Sequence, residues 1–467
     1  MENNKNKVIY SIIANGTSTA TSVFATLLLP KLLSVSGYGY FQLYLFYASY
    51  IGILHLGWAD GIYLRTIGKY YDSLNKCVYS AQIKYFWMSQ FIMGLTVFSI
   101  GTLGFNGDKK FVISVIGVLI VIYNSGLFLL YILQATARIR AYAKCVIIGN
   151  GLYFAGCCVL GAAKSTNYQY FILAHLLSQV VILCLSIYCC KDLILANMNC
   201  GSKILMAETK ANIFTGSKIM LAGFSSTLTL GIVRWSIEKQ WDVEVFGKIS
   251  LTLSASNLFM TLINAIATVL LPIMRRKSDA EIDAMYHDIE HGLMWPLYIF
   301  MTVFYPVEKI LMLWLPDYSD SLKYMALLFP ICIFESKTAL LLNTYLKAHR
   351  REKDILIVNA SIVCLSVASS FVAAFVMKSI TMCLITILIL IAIKCIGLEI
   401  ALSHNTGICV KAEIIEELII SVAFVIANWH IGGMSGLLVY LAVVIIFVFI
   451  HKDSIRQLIY KTLKVKG

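Results

Sequence analysis

The chain has 467 residues, of which 59% are hydrophobic and 13% charged, with a formal net charge of +13. An average soluble domain is roughly a quarter charged, so a water-soluble core cannot absorb this apolar excess. The positive charge forms no basic stripe on a polar domain, which argues against nucleic acid, and the 13 cysteines lack C-x-x-C or Cys/His metal spacing.

Apolar stretches of about 18 or more residues recur from end to end, each long enough to cross a hydrocarbon core of about 30 Å. Hydrocarbon offers the backbone no partners, so these stretches are predicted to be helices. In chain order the predicted spans are 8–30, 40–60, 85–104, 111–133, 146–163, 169–190, 213–233, 249–270, 291–313, 322–345, 355–377, 380–401, 413–430 and 434–450. The first follows Lys5 and Lys7 as a signal peptide would, but it is too long and has no clear small-residue cleavage site. It is therefore counted as a span. Fourteen spans put both termini on one side. Most of the 38 Lys and Arg crowd the terminal and even-numbered connections, for example Arg65, Lys69, Arg138, Arg140, Arg275, Arg276, Arg350 and Arg351. By the bias of cytoplasmic loops towards positive charge, both termini are expected in the cytoplasm.

Several spans carry polar side chains on one face. Span one has Ser11, Asn15, Ser18 and Ser22 at helical spacing. Span two opens with Tyr40, Tyr44 and Tyr47, which fit an interfacial belt, and ends in GWADGIYLRT, where Asp60 and Arg65 are either a helix end or a gate. Span seven aligns Lys218 with Ser225 and Thr229, and a charge at the bilayer centre costs at least about 2.5 kcal/mol, so Lys218 is expected in a wet cavity or snorkelling. Span eight lines up Ser250, Ser254, Asn257, Thr261, Asn264 and Thr268. Such rows are either packing seams or the wall of a solvated cavity, and the intramembrane lysine favours the cavity.

Between spans eight and nine, residues 278–291 mix acidic and apolar side chains at helical spacing, as an interfacial helix would. Arg234 and Glu238 are four apart and suit an ion pair. Glu335 and Lys337 lie on roughly opposite faces of span ten, so one of them is expected to point inward, whereas Lys394 and Glu399 in span twelve are expected to snorkel. Asp60 and Glu335 are the only intramembrane acids counted as coupling-ion candidates.

Spans one and seven each open a six-span block rich in Gly, Ser and Thr. The predicted architecture is an all-α polytopic membrane protein of about fourteen helices. It comprises a six-helix lobe at 1–190, a cytoplasmic linker at 191–212, a second six-helix lobe at 213–401, and two extra helices with a basic tail at 402–467. The lobes would be related by a pseudo-twofold axis along the membrane normal, the arrangement that permits alternating access.

Three segments resemble a known family: NGTSTATSVFATLLLPKLLSVSGYGYFQLY, GFSSTLTLGIVRWSIEKQWDVEVFGKISL and PVEKILMLWLPDYSDSLKYMALLFP. They are similar to the opening helix, the seventh and eighth helices, and the ninth-to-tenth connection of the bacterial O-antigen flippases (Wzx-like translocases), within the multidrug/oligosaccharidyl-lipid/polysaccharide exporter superfamily. Val233 stands where relatives often have an Asp before the arginine. The resemblance implies translocation of undecaprenyl-diphosphate-linked oligosaccharide across the bacterial inner membrane, from the cytoplasmic to the periplasmic leaflet. It also implies membrane lipids, a polysaccharide polymerase and a chain-length regulator as partners. No cofactor or metal is expected, with Na+ or H+ as the possible coupling ion.

A diphosphate in a low-dielectric cavity would be held by cations, for which Lys218, Arg234 and Lys337 are candidates, with Arg65 capturing it at the inner mouth. Asn15, Ser18, Asn257, Thr261 and Asn264 would face the sugar, since hydroxyls and amides both donate and accept. A cation-coupled multidrug extruder is the second reading, and it would want carboxylates in the cavity. A membrane glycan polymerase is the third. It would need a larger outer loop than residues 234–247 provide, and no nucleotide-binding Gly-rich loop is present.

Overall fold

The computed structural model describes residues 4–197, 201–256 and 286–452. It is 89% helical, with no strand among the described residues. Ten helices there are long and apolar enough to cross a membrane, or eleven when the helix from Ser202 is added. With the other main helices they are named here α1 (Asn4–Leu32), α2 (Val35–Ala48), α3 (Trp58–Thr66), α4 (Lys76–Gly104), α5 (Gly107–Ala135), α6 (Ile139–Ala162), α7 (Tyr168–Cys189) and α8 (Ser202–Gln240), of which α4 to α7 are among the ten and α8 is the eleventh. A helix over 243–256 follows as α9. The rest are α10 (Tyr286–Trp314), α11 (Met325–Ala348), α12 (Glu352–Val376), α13 (Ile380–Thr406), α14 (Lys411–Ile431) and α15 (Gly433–Ile450). Packing divides the chain into two units: Met1–Phe224 with Val243–Gly247, and Ser225–Asp242 with Lys248–Gly467. The change of unit thus falls inside α8, past the 191–212 connection.

In the first unit, α4 and α5 form a hairpin whose backbones meet through small residues. A Cβ added to Gly94 would stand 2.6 Å from the Gly117 carbonyl oxygen, and one on Gly101 2.7 Å from the Ser114 nitrogen. Small residues are what allow such close approach where lipid supplies no hydrophobic drive. Farther along the pair, Phe86 stacks on Phe128 with centroids 4.4 Å apart.

The predicted single span at 40–60 is corrected by the structure. It is broken after Ala48, passes through a 3-10 turn over Ile51–His55, and restarts at Trp58. Leu56 (φ 52°) and Gly57 (φ 77°) occupy the left-handed region, which ends the 3-10 turn and which only Gly enters without strain. A break frees backbone carbonyls, and two side-chain amides take them. Asn124 Nδ2 donates to Ile51 O at 3.3 Å and Gln90 Nε2 to Leu54 O at 3.3 Å, while Asn124 Nδ2 also donates to Gln90 Oε1 at 2.7 Å. Both amides are buried, the condition under which irregular backbone survives inside a helical membrane protein.

Of the predicted interfacial helix, residues 278–285 lie outside the described residues; residues 286–291 belong to α10, in which Glu290 is buried rather than lying at a surface. A π-helical turn over Lys337–Leu342 interrupts α11 at the predicted intramembrane lysine. Such turns locally redirect side chains and recur at functional sites.

Candidate functional site

The restart of the broken span presents α3 to α8 through glycines. Cβ atoms on Gly57, Gly61 or Gly216 would collide with the opposite backbone at Ser217, Asn212 and Gly57 respectively. This close approach sets Arg65 against α8. Its Nη1 meets Glu208 Oε2 at 2.8 Å and donates to Asn212 Oδ1 at 2.6 Å. The polar chain continues into α4: Gln82 Oε1 accepts from Trp58 Nε1 at 2.7 Å and from Asn212 Nδ2 at 3.3 Å, and Gln82 Nε2 donates to Thr209 Oγ1 at 2.8 Å.

Two cavities flank this stretch of α8. One, of about 390 Å³, is polar and is lined by Arg65, Lys69, Tyr79, Gln82, Glu208 and Asn212 among others. The other, of about 710 Å³, is largely apolar, with Trp58, Tyr85, Leu205, Met206 and Phe214 in its wall. Two of the polar cavity's charged walls are cations and one is an anion. The anion is held by an ion pair whose side chains are 34% and 41% exposed. Such a pair is worth only about 0–1 kcal/mol, so a stronger anion can displace Glu208 from Arg65. The geometry offers a cationic pocket beside an apolar groove, which suits an amphipathic anion.

The other expected site residues are scattered. Lys218 is exposed, its ammonium 4.2 Å from the centroid of Phe214, a wall residue of the apolar groove. Ser18 is exposed on α1. The side chain of Asn15, and Asn257, Thr261 and Asn264 entirely, lie outside the described residues. In the second unit Arg234 Nη2 donates to Ser250 Oγ at 2.9 Å, which ties α8 to the start of the polar row on α9. Asp60 lies 3.7 Å from His55 Nε2 at the helix break. Glu335 is joined to Lys394 at 2.5 Å.

Lys337 is fully buried, and its Nζ is 2.6 Å from Glu290, 2.5 Å from Glu399 and 2.5 Å from Glu417. This overturns two expectations. Lys394 and Glu399 do not snorkel, because both are buried and paired. Asp60 and Glu335 are not the only intramembrane acids, since Glu290, Glu399 and Glu417 form a cluster that the sequence reading missed. The available signal was Lys337 itself. A lysine in an apolar span needs counter-charges, and Glu417 lies mid-helix in IIEELIIS. In this structure Lys337 is thereby engaged by three carboxylates and is not presented to either cavity.

No protein-family model and no curated protein sequence matches the chain. Among solved structures it is similar to the lipid II flippase MurJ in an inward closed conformation, at 13% identity and a TM-score of 0.68, over 96% of this chain and 100% of that one. It is also similar to a multidrug resistance MATE family transporter of the MOP superfamily in an inward-facing conformation, at 13% identity and a TM-score of 0.58, over 87% and 94% of the two chains. A multidrug resistance MATE transporter in an outward-facing conformation matches with a TM-score of 0.50 at 13% identity, over 89% and 94%. At such identity the likeness is one of fold: the chain has the multi-helix membrane fold of these transporters.

Proposed function

We propose that this protein is a membrane transporter that moves an undecaprenyl-diphosphate-linked oligosaccharide from the cytoplasmic to the periplasmic leaflet of a bacterial inner membrane, for the assembly of O-antigen or another surface polysaccharide. One observation carries the reading: the cationic Arg65 and Lys69 pocket lies beside an apolar groove along α8. A diphosphate headgroup fits the first and prenyl chain the second. The fold shared with a lipid II flippase supports the same class of cargo. Arg65 captures the headgroup by exchange with Glu208, Lys218 stands by the groove, and Arg234 with Ser250 offers a further basic and hydroxyl contact. Asn15, Ser18, Asn257, Thr261 and Asn264 face the sugar in this reading. A polymerase and a chain-length regulator act on what it delivers.

The reading is tested in the host by deleting the protein and locating the lipid-linked glycan. Completed undecaprenyl-linked units should build up on the inner leaflet and return to normal export on complementation. Unchanged surface glycan, or accumulation of unlinked sugars, refutes it.

A second reading, a cation-coupled multidrug extruder, is favoured by the buried acids Glu290, Glu399 and Glu417, since such extruders need carboxylates to bind a small coupling ion. Arg65→Ala separates the two. It should damage glycolipid export under the first reading and leave cation extrusion intact or improved under the second.

A further inference from the structure

The carboxylates around Lys337 outnumber the charge available to balance them. They come from three helices: Glu290 from α10, Glu399 from α13 and Glu417 from α14, each within 2.6 Å of the one ammonium. All three are at most 1% exposed. Lys337 can neutralise one of them.

Among the described residues, the groups that face the cluster do not balance the rest. From α10, Tyr286 Oη donates to Glu399 Oε1 at 3.3 Å, and the single His287 imidazole is divided between Glu413 at 2.9 Å and Glu290 Oε2 at 3.9 Å. From α11, Glu335 is bound to Lys394 of α13. From α13, Cys395 brings a thiol whose sulfur lies within 4.8 Å of one carboxylate oxygen each of Glu399 and Glu417, which are equally close to one another. From α14, Glu413 is met by His287, and Glu416 pairs with His451 at 3.0 Å. The second oxygens tell the same story. Glu290 Oε2, Glu399 Oε2 and Glu417 Oε2 are buried with no hydrogen-bond partner. A buried carboxylate without counter-charge or donor becomes neutral rather than remain charged.

We propose that this cluster is a proton-binding site, in which Glu290, Glu399 and Glu417 hold at least one exchangeable proton at neutral pH. The proton comes from water and leaves as a proton. While bound, it turns an orphaned carboxylate oxygen into an O–H donor for a neighbouring one. A metal cation fits less well, because the point where the three carboxylates converge is already filled by the ammonium, and the remaining ligand is a thiol sulfur, which suits soft metals rather than hard cations such as Na+. The site joins α10, α11, α13 and α14, so losing the proton leaves two like charges holding four helices together. The inference does not depend on what the protein carries.

The test is an infrared titration of the purified protein in lipid nanodiscs, which reads protonated carboxyl groups directly. Wild type should show a protonated-carboxyl band at neutral pH that disappears on alkalinisation. E417Q or E399Q should remove about one carboxyl's worth of that band, and K337M should enlarge it, since removing the ammonium forces a further carboxylate to take a proton. Absence of the band from wild type at neutral pH overturns the proposal, and that result needs no variant to fold. So does a band unchanged by E290Q, E399Q and E417Q alike. A band abolished at fixed pH by NaCl but not by KCl would replace the proton with a sodium ion and overturn it equally. None of these outcomes bears on glycolipid transport, so the two proposals stand or fall separately.

Discussion

On the proposed function, binding of a diphosphate at Arg65 would be an exchange of partners, and its size follows from the groups exchanged. In the free protein Arg65 Nη1 is engaged by Glu208 Oε2 at 2.8 Å and Asn212 Oδ1 at 2.6 Å. Because both charged side chains are more than a third exposed, giving up the ion pair costs about 0–1 kcal/mol. A hydrogen bond from a charged donor is worth about 1.5–3 kcal/mol. The net of about 0.5–3 kcal/mol means that Arg65→Ala should weaken binding of a short-chain prenyl diphosphate by roughly 2- to 150-fold. Glu208→Gln removes the competitor and should strengthen it by up to about 5-fold. The assay is a thermophoresis titration of purified protein in detergent at low salt, repeated at high salt, where both effects should shrink. Unchanged affinity in Arg65→Ala refutes the reasoning. Weaker binding in Glu208→Gln does too, because it would make Glu208 part of the site rather than its rival.

Other consequences follow from the packing. Asn124→Leu removes the buried amide that bonds the Ile51 carbonyl and Gln90 Oε1 at the helix break and should cost about 1–3 kcal/mol, read as a lower melting temperature; no change would show that the break does not need the amide. Gly61→Leu forces α3 away from the α8 backbone at Asn212, so folded yield should collapse, whereas Gly104→Ala, which meets nothing within 4 Å, should leave it intact. Asp192 gives a pH signature. Burial opposes its ionisation, but the Tyr71 hydroxyl at 2.8 Å, its local backbone and Lys76 at 3.6 Å hold the carboxyl below its ordinary range. Its stabilisation is therefore present above about pH 4 and lost as pH falls through the lowered value. Since the pair is exposed, Asp192→Asn should cost under about 1 kcal/mol at neutral pH and nothing in strong acid; a constant difference between wild type and variant across that range would count against the assignment.

Much of this was legible from hydropathy alone, because spans such as α5, α7 and α15 are long and uniformly apolar, and nothing in their tertiary surroundings competes with that signal. The break at Ile51–Gly57 was not. Its residues are apolar enough to pass as a span, and what permits the break, the amides of Gln90 and Asn124, lies 36 and 73 residues away. Arg65 was visible as a charge at the end of a span, but its partners Glu208 and Asn212 were not, since an exposed ion pair between distant helices leaves no periodic trace. The acidic cluster failed for the opposite reason. Glu290 sits among other acids near a span's end, where a surface reading fits, and only the fold shows it turned inward.

The two charged sites use the same chemistry and differ in surroundings, and that difference decides what each can exchange. Unit charges about 4 Å apart interact by about 1 kcal/mol in bulk water but by about 4 kcal/mol at the effective dielectric of a protein. At Arg65 and Glu208, both open to solvent, the attraction is near the lower figure, so a polyanion can compete for the arginine. Around Lys337, with four side chains almost sealed from solvent, attractions and repulsions move towards the larger figure. No bulky anion can enter there, and a lone ammonium cannot be withdrawn without stranding three carboxylates. What can still be exchanged is something that needs no room and carries one positive charge. The cation pocket at Arg65 thus lies in the first unit and the Lys337 cluster with its excess of buried acid in the second, so an anion and a proton would be exchanged at separate sites.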